Sequence, residues 1–141
     1  MIHLEVGDSA SITRTFDRET VSSFLDLADA PPVDAVPEPL IGGLFSYLLG
    51  VKLPGNGTNY LKQEMQFHAA APLDEPLTAT VEVTRLRPEK ALCDLRTECR
   101  TSTGALISSG RALVLTKDVA ATPPWGSDSA ADPRMADPLP A

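Results

Sequence analysis

Residues 29–50 read DAPPVDAVPEPLIGGLFSYLLG: an acidic, proline-studded loop that runs directly into a segment apolar on nearly every face. The spacing of Leu40, Ile41, Leu44, Phe45, Leu48, Leu49 and Val51 predicts a helix over about 38–51 in which only Ser46 and Tyr47 are polar. A helix that is apolar through most of its circumference must be enclosed by protein. Gly42 and Gly43 lie inside it at a cost in helix propensity, which points to close packing against a neighbouring sheet.

Upstream, SASITRTF (9–16) alternates as a strand does. Asp17 then caps a helix that carries Glu19 in its first turn and Val21, Phe24, Leu25 and Ala28 at helical spacing. Pro31 and Pro32 remove amide donors, so this amphipathic helix stops at about Asp29. Downstream, LPGNGTNY (53–60) is a turn cluster, after which the pattern changes to period two. Strands are expected over 58–67, 77–87, 91–101 and 105–116, with RPEK and TSTG as hairpin turns, so the sheet is antiparallel. The economical arrangement is an α+β fold in which this curved sheet wraps the apolar helix. Residues 1–117 are read as one domain, and 118–141, rich in Pro, Ala and Asp, as a mobile tail with Trp125 its one anchoring candidate.

A chain of 141 residues supports about one domain with a single core. The net charge of −7, without any Lys/Arg cluster, argues against nucleic acid and anionic membranes as partners, since both bind through positive charge. No run approaches the about 18 apolar residues of a membrane span, and the N-terminus lacks a signal-peptide pattern; a cytoplasmic location is expected. Cys93 and Cys99 fall on the apolar side of KALCDLRTECR with Ala91, Leu95 and Thr97, opposite Asp94, Arg96, Glu98 and Arg100. Six residues of strand span roughly 20 Å, so the two thiols cannot bridge each other. They read as core thiols; a nucleophilic role would need a neighbouring histidine or helix N-terminus.

The order of elements, the VGDSA opening, LPGNGTNYLKQEMQF, PLDEPLTATVEVTRLRPEK and the closing GRALVL strand together resemble the MaoC-like dehydratases and (R)-specific enoyl-CoA hydratases over residues 5–116. The resemblance implies a hot-dog fold. It also implies a dimer, either of this chain or with a related hot-dog subunit, that binds an acyl chain attached to coenzyme A or an acyl carrier protein. The implied reaction is hydration or dehydration at carbons two and three, with no cofactor beyond the carrier itself. In that family a D-x-N-P-x-H motif at the end of the first helix supplies an aspartate and a histidine that act on water, while a backbone amide at the start of the central helix polarises the thioester carbonyl. The arrangement is physically sound, because enolate charge develops where a positive helix end stabilises it most.

Here DAPPVD keeps Asp29 and Pro32 but places Pro31 at the asparagine position and Asp34 at the histidine position. The connection to the central helix is shortened to AVPEP, and Glu38 stands where the family's His-Gly pair would place its glycine. Asp29 and Asp34 are accordingly the candidate catalytic pair, with Glu38, Gly42, Gly43 and Tyr60 as candidate substrate-binding residues and no metal ligands. Two carboxylates can divide acid and base roles when burial or repulsion separates their pKa values; an acidic cap on a helix N-terminus explains the same residues structurally. Tyr60, Gln63 and Gln66 either line an acyl tunnel or face water. His3 reads as a surface residue and His68 as a sheet-edge residue, with contact to coenzyme or subunit as the alternative. Two other functions fit: a non-catalytic hot-dog subunit that pairs with an active homologue, and an acyl-CoA thioesterase.

Overall fold

Alternation over the second half of the chain becomes an antiparallel sheet. The structure, a computed structural model, describes residues 3–119, so the tail residues from 120 on, Trp125 included, lie outside the described residues. Five strands, β1 (Ser9–Thr15), β2 (Asn59–Phe67), β3 (Pro76–Arg87), β4 (Leu92–Thr101) and β5 (Leu106–Leu115), pair antiparallel in the order β1-β3-β4-β5-β2. The β3–β4 hairpin closes through the short turn Pro88–Lys90, and Ala91, expected in the strand, instead ends that turn in the left-handed region at φ 54°. The β4–β5 hairpin closes with Thr101 N–H donating to the Ala105 carbonyl and Gly104 at φ 90°. β1 and β2 are the two edges, and β2 lies so close to β5 that a Cβ on Gly110 would stand 1.9 Å from the Glu64 carbonyl oxygen.

The first helix, α1 (Arg18–Leu27), begins where the Asp17 carboxylate accepts the Thr20 N–H at 2.7 Å and buries Val21 and Leu25. The central helix, α2 (Glu38–Tyr47), starts with proline at its N-cap and second position, where a missing N–H is harmless. It is shorter than the apolar run: after Tyr47 the chain tightens into one π-helical turn, Leu48–Lys52. Ile41, Leu44, Phe45, Leu48 and Leu49 are all buried beneath the sheet, whereas Leu40 is half-buried and Val51 is 37% exposed. The enclosure read from the sequence is therefore real but leaves both ends of the segment open.

One face of the sheet packs on that helix through Ile12, Leu77, Ala79, Val81, Val83, Cys93, Leu95, Thr97, Cys99, Ala112 and Val114. Burying each large aliphatic side chain contributes about 1.5–3 kcal/mol, which makes this interface the main source of stability. Both cysteines are free and fully buried, and burial pushes each thiol up to about 11, with Asp94 adding to the effect at Cys93. The opposite face is polar: hydroxyl pairs Ser11–Thr80 and Thr13–Thr78 at 2.9 Å, then a chain of charges from Glu82 through Arg96 and Glu98 to Arg100.

Candidate active site

Three of the expected residues, Asp29, Asp34 and Glu38, lie on the connection from α1 to α2 or at its end. Helix α1 ends as Ala30 N–H donates to the Leu25 carbonyl and Asp29 N–H to that of Asp26, with Asp29 itself in the left-handed region at φ 54°. Aspartate tolerates this conformation better than most residues, so Asp29 terminates the helix and presents an exposed carboxylate at once. Two tethers hold the rest of the connection. Val36, 4% exposed, donates its N–H to the Ala71 carbonyl at 2.9 Å, and Arg18 Nη2 donates to Asp34 Oδ1 at 2.6 Å. The ion pair raises the Arg18 pKa, chiefly through that hydrogen bond.

The three carboxylates are thus unequal. Asp34 is engaged by the guanidinium at the start of α1, while among the described residues neither Asp29 nor Glu38 has an ion-pair partner. All three are exposed. Glu38 is the first residue of α2, and its backbone amide lies in the turn whose N–H groups have no intrahelical acceptor. Gly42 and Gly43 fall one turn later, where amides are spent within the helix, whereas the Glu38 amide lies in the open first turn. The two glycines also differ from each other. A Cβ on Gly42 would lie 3.3 Å from Met65 Cε, so Gly42 does pack closely against β2, whereas a Cβ on Gly43 would meet nothing within 4 Å.

Tyr60 lies on the sheet rather than on the connection. It pairs with Val114 at the start of β2, whereas the connection meets the sheet near Ala71, beyond the far end of that strand. Seven residues of strand, roughly 23 Å, separate Tyr60 from Phe67. Tyr60 is 37% exposed, and burial of the remainder lifts its hydroxyl pKa to about 12. Gln63 turns inward with its amide nitrogen buried and Gln66 is exposed. His68, at the exit of the edge strand β2, lies 2.7 Å through Nε2 from Ser109 Oγ, and His3 is exposed beside Glu5. No group of three or more His, Cys, Asp or Glu side chains that could hold a metal ion occurs among the described residues. No helix among them is long and apolar enough to cross a membrane.

Sequence reading missed a groove of about 530 Å³ between α1 and the start of α2, lined mainly by Phe16, Phe24, Leu27, Pro39, Leu40 and Gly43. Its signal was present in Leu27, an apolar residue off the buried stripe of α1 and 88% exposed.

These elements match known proteins along almost their whole length. The chain is 36% identical over 126 positions to an (R)-specific enoyl-CoA hydratase of Aeromonas caviae, covering 79% of this chain and 94% of the relative. It is 32% identical over 127 positions to the (R)-specific enoyl-CoA hydratase of Rhodospirillum rubrum, covering 79% of this chain and 88% of that protein. The chain belongs to the (R)-specific enoyl-CoA hydratase family. Its fold agrees: the solved (R)-hydratase from A. caviae superposes with a TM-score of 0.73 at 35% identity, covering 79% of this chain and 96% of that one. No protein-family model matches the chain. The protein is a MaoC-like hot-dog protein of the acyl-thioester hydratase/dehydratase type.

Proposed function

We propose that this chain hydrates 2-enoyl thioesters and dehydrates 3-hydroxyacyl thioesters, carried on coenzyme A or an acyl carrier protein, with Asp29 as the acid–base group. The observation that supports this most is the state of Asp29: an exposed carboxylate, set at the helix end by a left-handed backbone and without an ion-pair partner among the described residues, on a chain of the hydratase family. Asp29 would take a proton from water as its oxygen attacks carbon three, and a proton would then be returned to carbon two. Charge builds on the thioester oxygen in that step, and the Glu38 amide at the positive end of α2 is suited to meet it. Glu38, and less readily the arginine-bound Asp34, would complete the acid–base pair. A second subunit, identical or related, would pair along the exposed edge strand β2, where Tyr60 and Leu61 remain open. Two buried free thiols suit a reducing, cytoplasmic compartment.

Loss of the conjugated enoyl-thioester absorbance, followed with crotonyl-CoA, tests the reading. The wild-type chain should turn over and Asp29→Asn should not; equal rates for the two would remove Asp29 from the chemistry. One observation favours a second reading, a non-catalytic subunit: the side chain at the family's histidine position is tied to Arg18, and both histidines lie elsewhere. Such a subunit would be silent alone and gain turnover when mixed with a histidine-bearing homologue.

A further inference from the structure

We propose that Arg18 is a positioning residue for the reacting carboxylate: by gripping Asp34 it anchors Pro31 and Pro32 as a stiff spacer whose other end sets the place of Asp29. The inference rests on the acyl-thioester reading above and concerns how its acid–base group is held.

The connection needs such a device because packing does not fix it. From Asp29 to Ala35 no side chain is buried: Asp29 and residues 31–34 are exposed, and Ala30 and Ala35 are half-buried. Ala30, Pro32 and Val33 do not close on α1 but line a cleft of about 230 Å³ with Val21, Leu25 and Leu73. A backbone that spans a cleft keeps its place only through its ends and any tether between them. The tether is the 2.6 Å contact from Arg18 Nη2 to Asp34 Oδ1, made where the chain bends at Asp34 and Ala35. Val36, buried and with its N–H on the Ala71 carbonyl, secures the far side.

Pro31 and Pro32 carry the constraint back to Asp29. Each proline fixes its own φ and keeps the residue before it out of the helical region, so Ala30, Pro31 and Pro32 have little freedom to absorb a shift of Asp34. At the other end Asp29 stands at φ 54°, a conformation that a residue other than glycine holds only where its surroundings enforce it. The spacer supplies that enforcement. These residues are also where the chain departs from the D-x-N-P-x-H pattern, with Pro31 for the asparagine and Asp34 for the histidine, and the two departures act as one device.

The place of Arg18 in its own helix shows that it serves something else. As the first residue of α1 it sets a cation at the positive end of the helix dipole, where positive charge is unfavourable. Its side chain is 68% exposed, so packing does not account for it either. What it meets is acid, Asp34 by direct contact and Asp74 at longer range.

Steady-state kinetics with crotonyl-CoA, with Tm measured beside them, test the assignment. Arg18→Met should lower kcat about tenfold or more, with KM little changed and Tm kept or raised. Arg18→Lys, which restores a cation, should recover most of the lost kcat. Pro31→Gly with Pro32→Gly leaves the tether and softens the spacer; it should reproduce the loss, and adding Arg18→Met to it should lower kcat by less than about twofold more. A readout independent of turnover is exchange of the Ala30 amide, which donates to the Leu25 carbonyl at the helix end; it should quicken in Arg18→Met by about tenfold while the amides of α2 hold. Active wild type with unchanged kcat and unchanged Ala30 exchange in Arg18→Met overturns the role of Arg18 and spares the acyl-thioester reading. A raised KM at unchanged kcat means that Arg18 meets substrate itself, which overturns a positioning role. Losses that multiply in the combined variant overturn the spacer, and a fall in Tm that Arg18→Lys fails to reverse marks a folding defect and overturns the assignment. Silence of wild type, alone and mixed with a histidine-bearing homologue, sinks the acyl-thioester reading and takes this inference with it.

Discussion

On the outer face of the sheet, Glu82, Arg96, Glu98 and Arg100 stand in an alternating chain of charges in which each acid meets a base, and strand register sets every position. Along the α1–α2 connection, of Asp29, Asp34 and Glu38 only Asp34 meets a base among the described residues, and only Val36 is buried over the ten residues from 29 to 38. The sheet and its helix are over-determined, because ladder hydrogen bonds, inward packing and outward pairing agree on the same placement. Past Ala30, the connection is held among the described residues by the Val36–Ala71 backbone hydrogen bond and one surface ion pair. Stability thus rests on the sheet and its helix; with the chemistry in the connection, as proposed above, a substitution should disturb one without the other.

The largest effect is expected where the sheet meets the helix. Phe45→Ala should cost about 3–5 kcal/mol in a denaturant titration. A loss below about 1 kcal/mol would show that the enclosed helix does not carry the fold. In the connection, Asp29→Asn should lower kcat/KM by about 100-fold or more with little change in Tm. Asparagine tolerates the left-handed backbone that φ 54° requires, so the variant removes charge without strain. A drop in Tm comparable to that of Phe45→Ala would erase the distinction between the two regions.

Alkaline pH probes the core from another direction. The buried Cys93 and Cys99 thiols are raised from 9.0 to about 11 in the folded chain, so an unfolded chain releases protons that the folded one keeps. Their contribution is fully present below pH 9 and is lost as pH rises toward 11. Unfolding followed across that window should show a decline of about 5 kcal/mol from the two thiols together, roughly halved in Cys99→Ala. The smallest effect belongs to the tether: Asp34→Asn should cost less than about 1 kcal/mol, and less again at high salt, since both partners of its ion pair are exposed.

The five strands were legible because β3, β4 and β5 alternate cleanly, and β4 shows how: Cys93, Leu95, Thr97 and Cys99 are inward, Arg96 and Arg100 outward. The end of α2 was less legible, because apolar character continues through Val51 whether the backbone winds as α or π, and hydrophobicity alone does not distinguish the two. Of the candidate site residues, Asp29, Asp34 and Glu38 are close in sequence and shared one connection from the outset. Tyr60 was read only as a strand residue that could line an acyl tunnel or face water, and it lies at the start of β2, opposite Val114.

What the sequence determined by itself was the enclosure. Period-two alternation beside an apolar run permits one economical burial, since apolar area must leave water whatever the chain order. What only the tertiary structure decided was the use of individual side chains: Asp34 spent on Arg18, Gly42 pressed on Met65 and Gly43 facing empty space. Those distinctions depend on which atoms from distant parts of the chain arrive within a few ångströms, and local pattern carries no information about that.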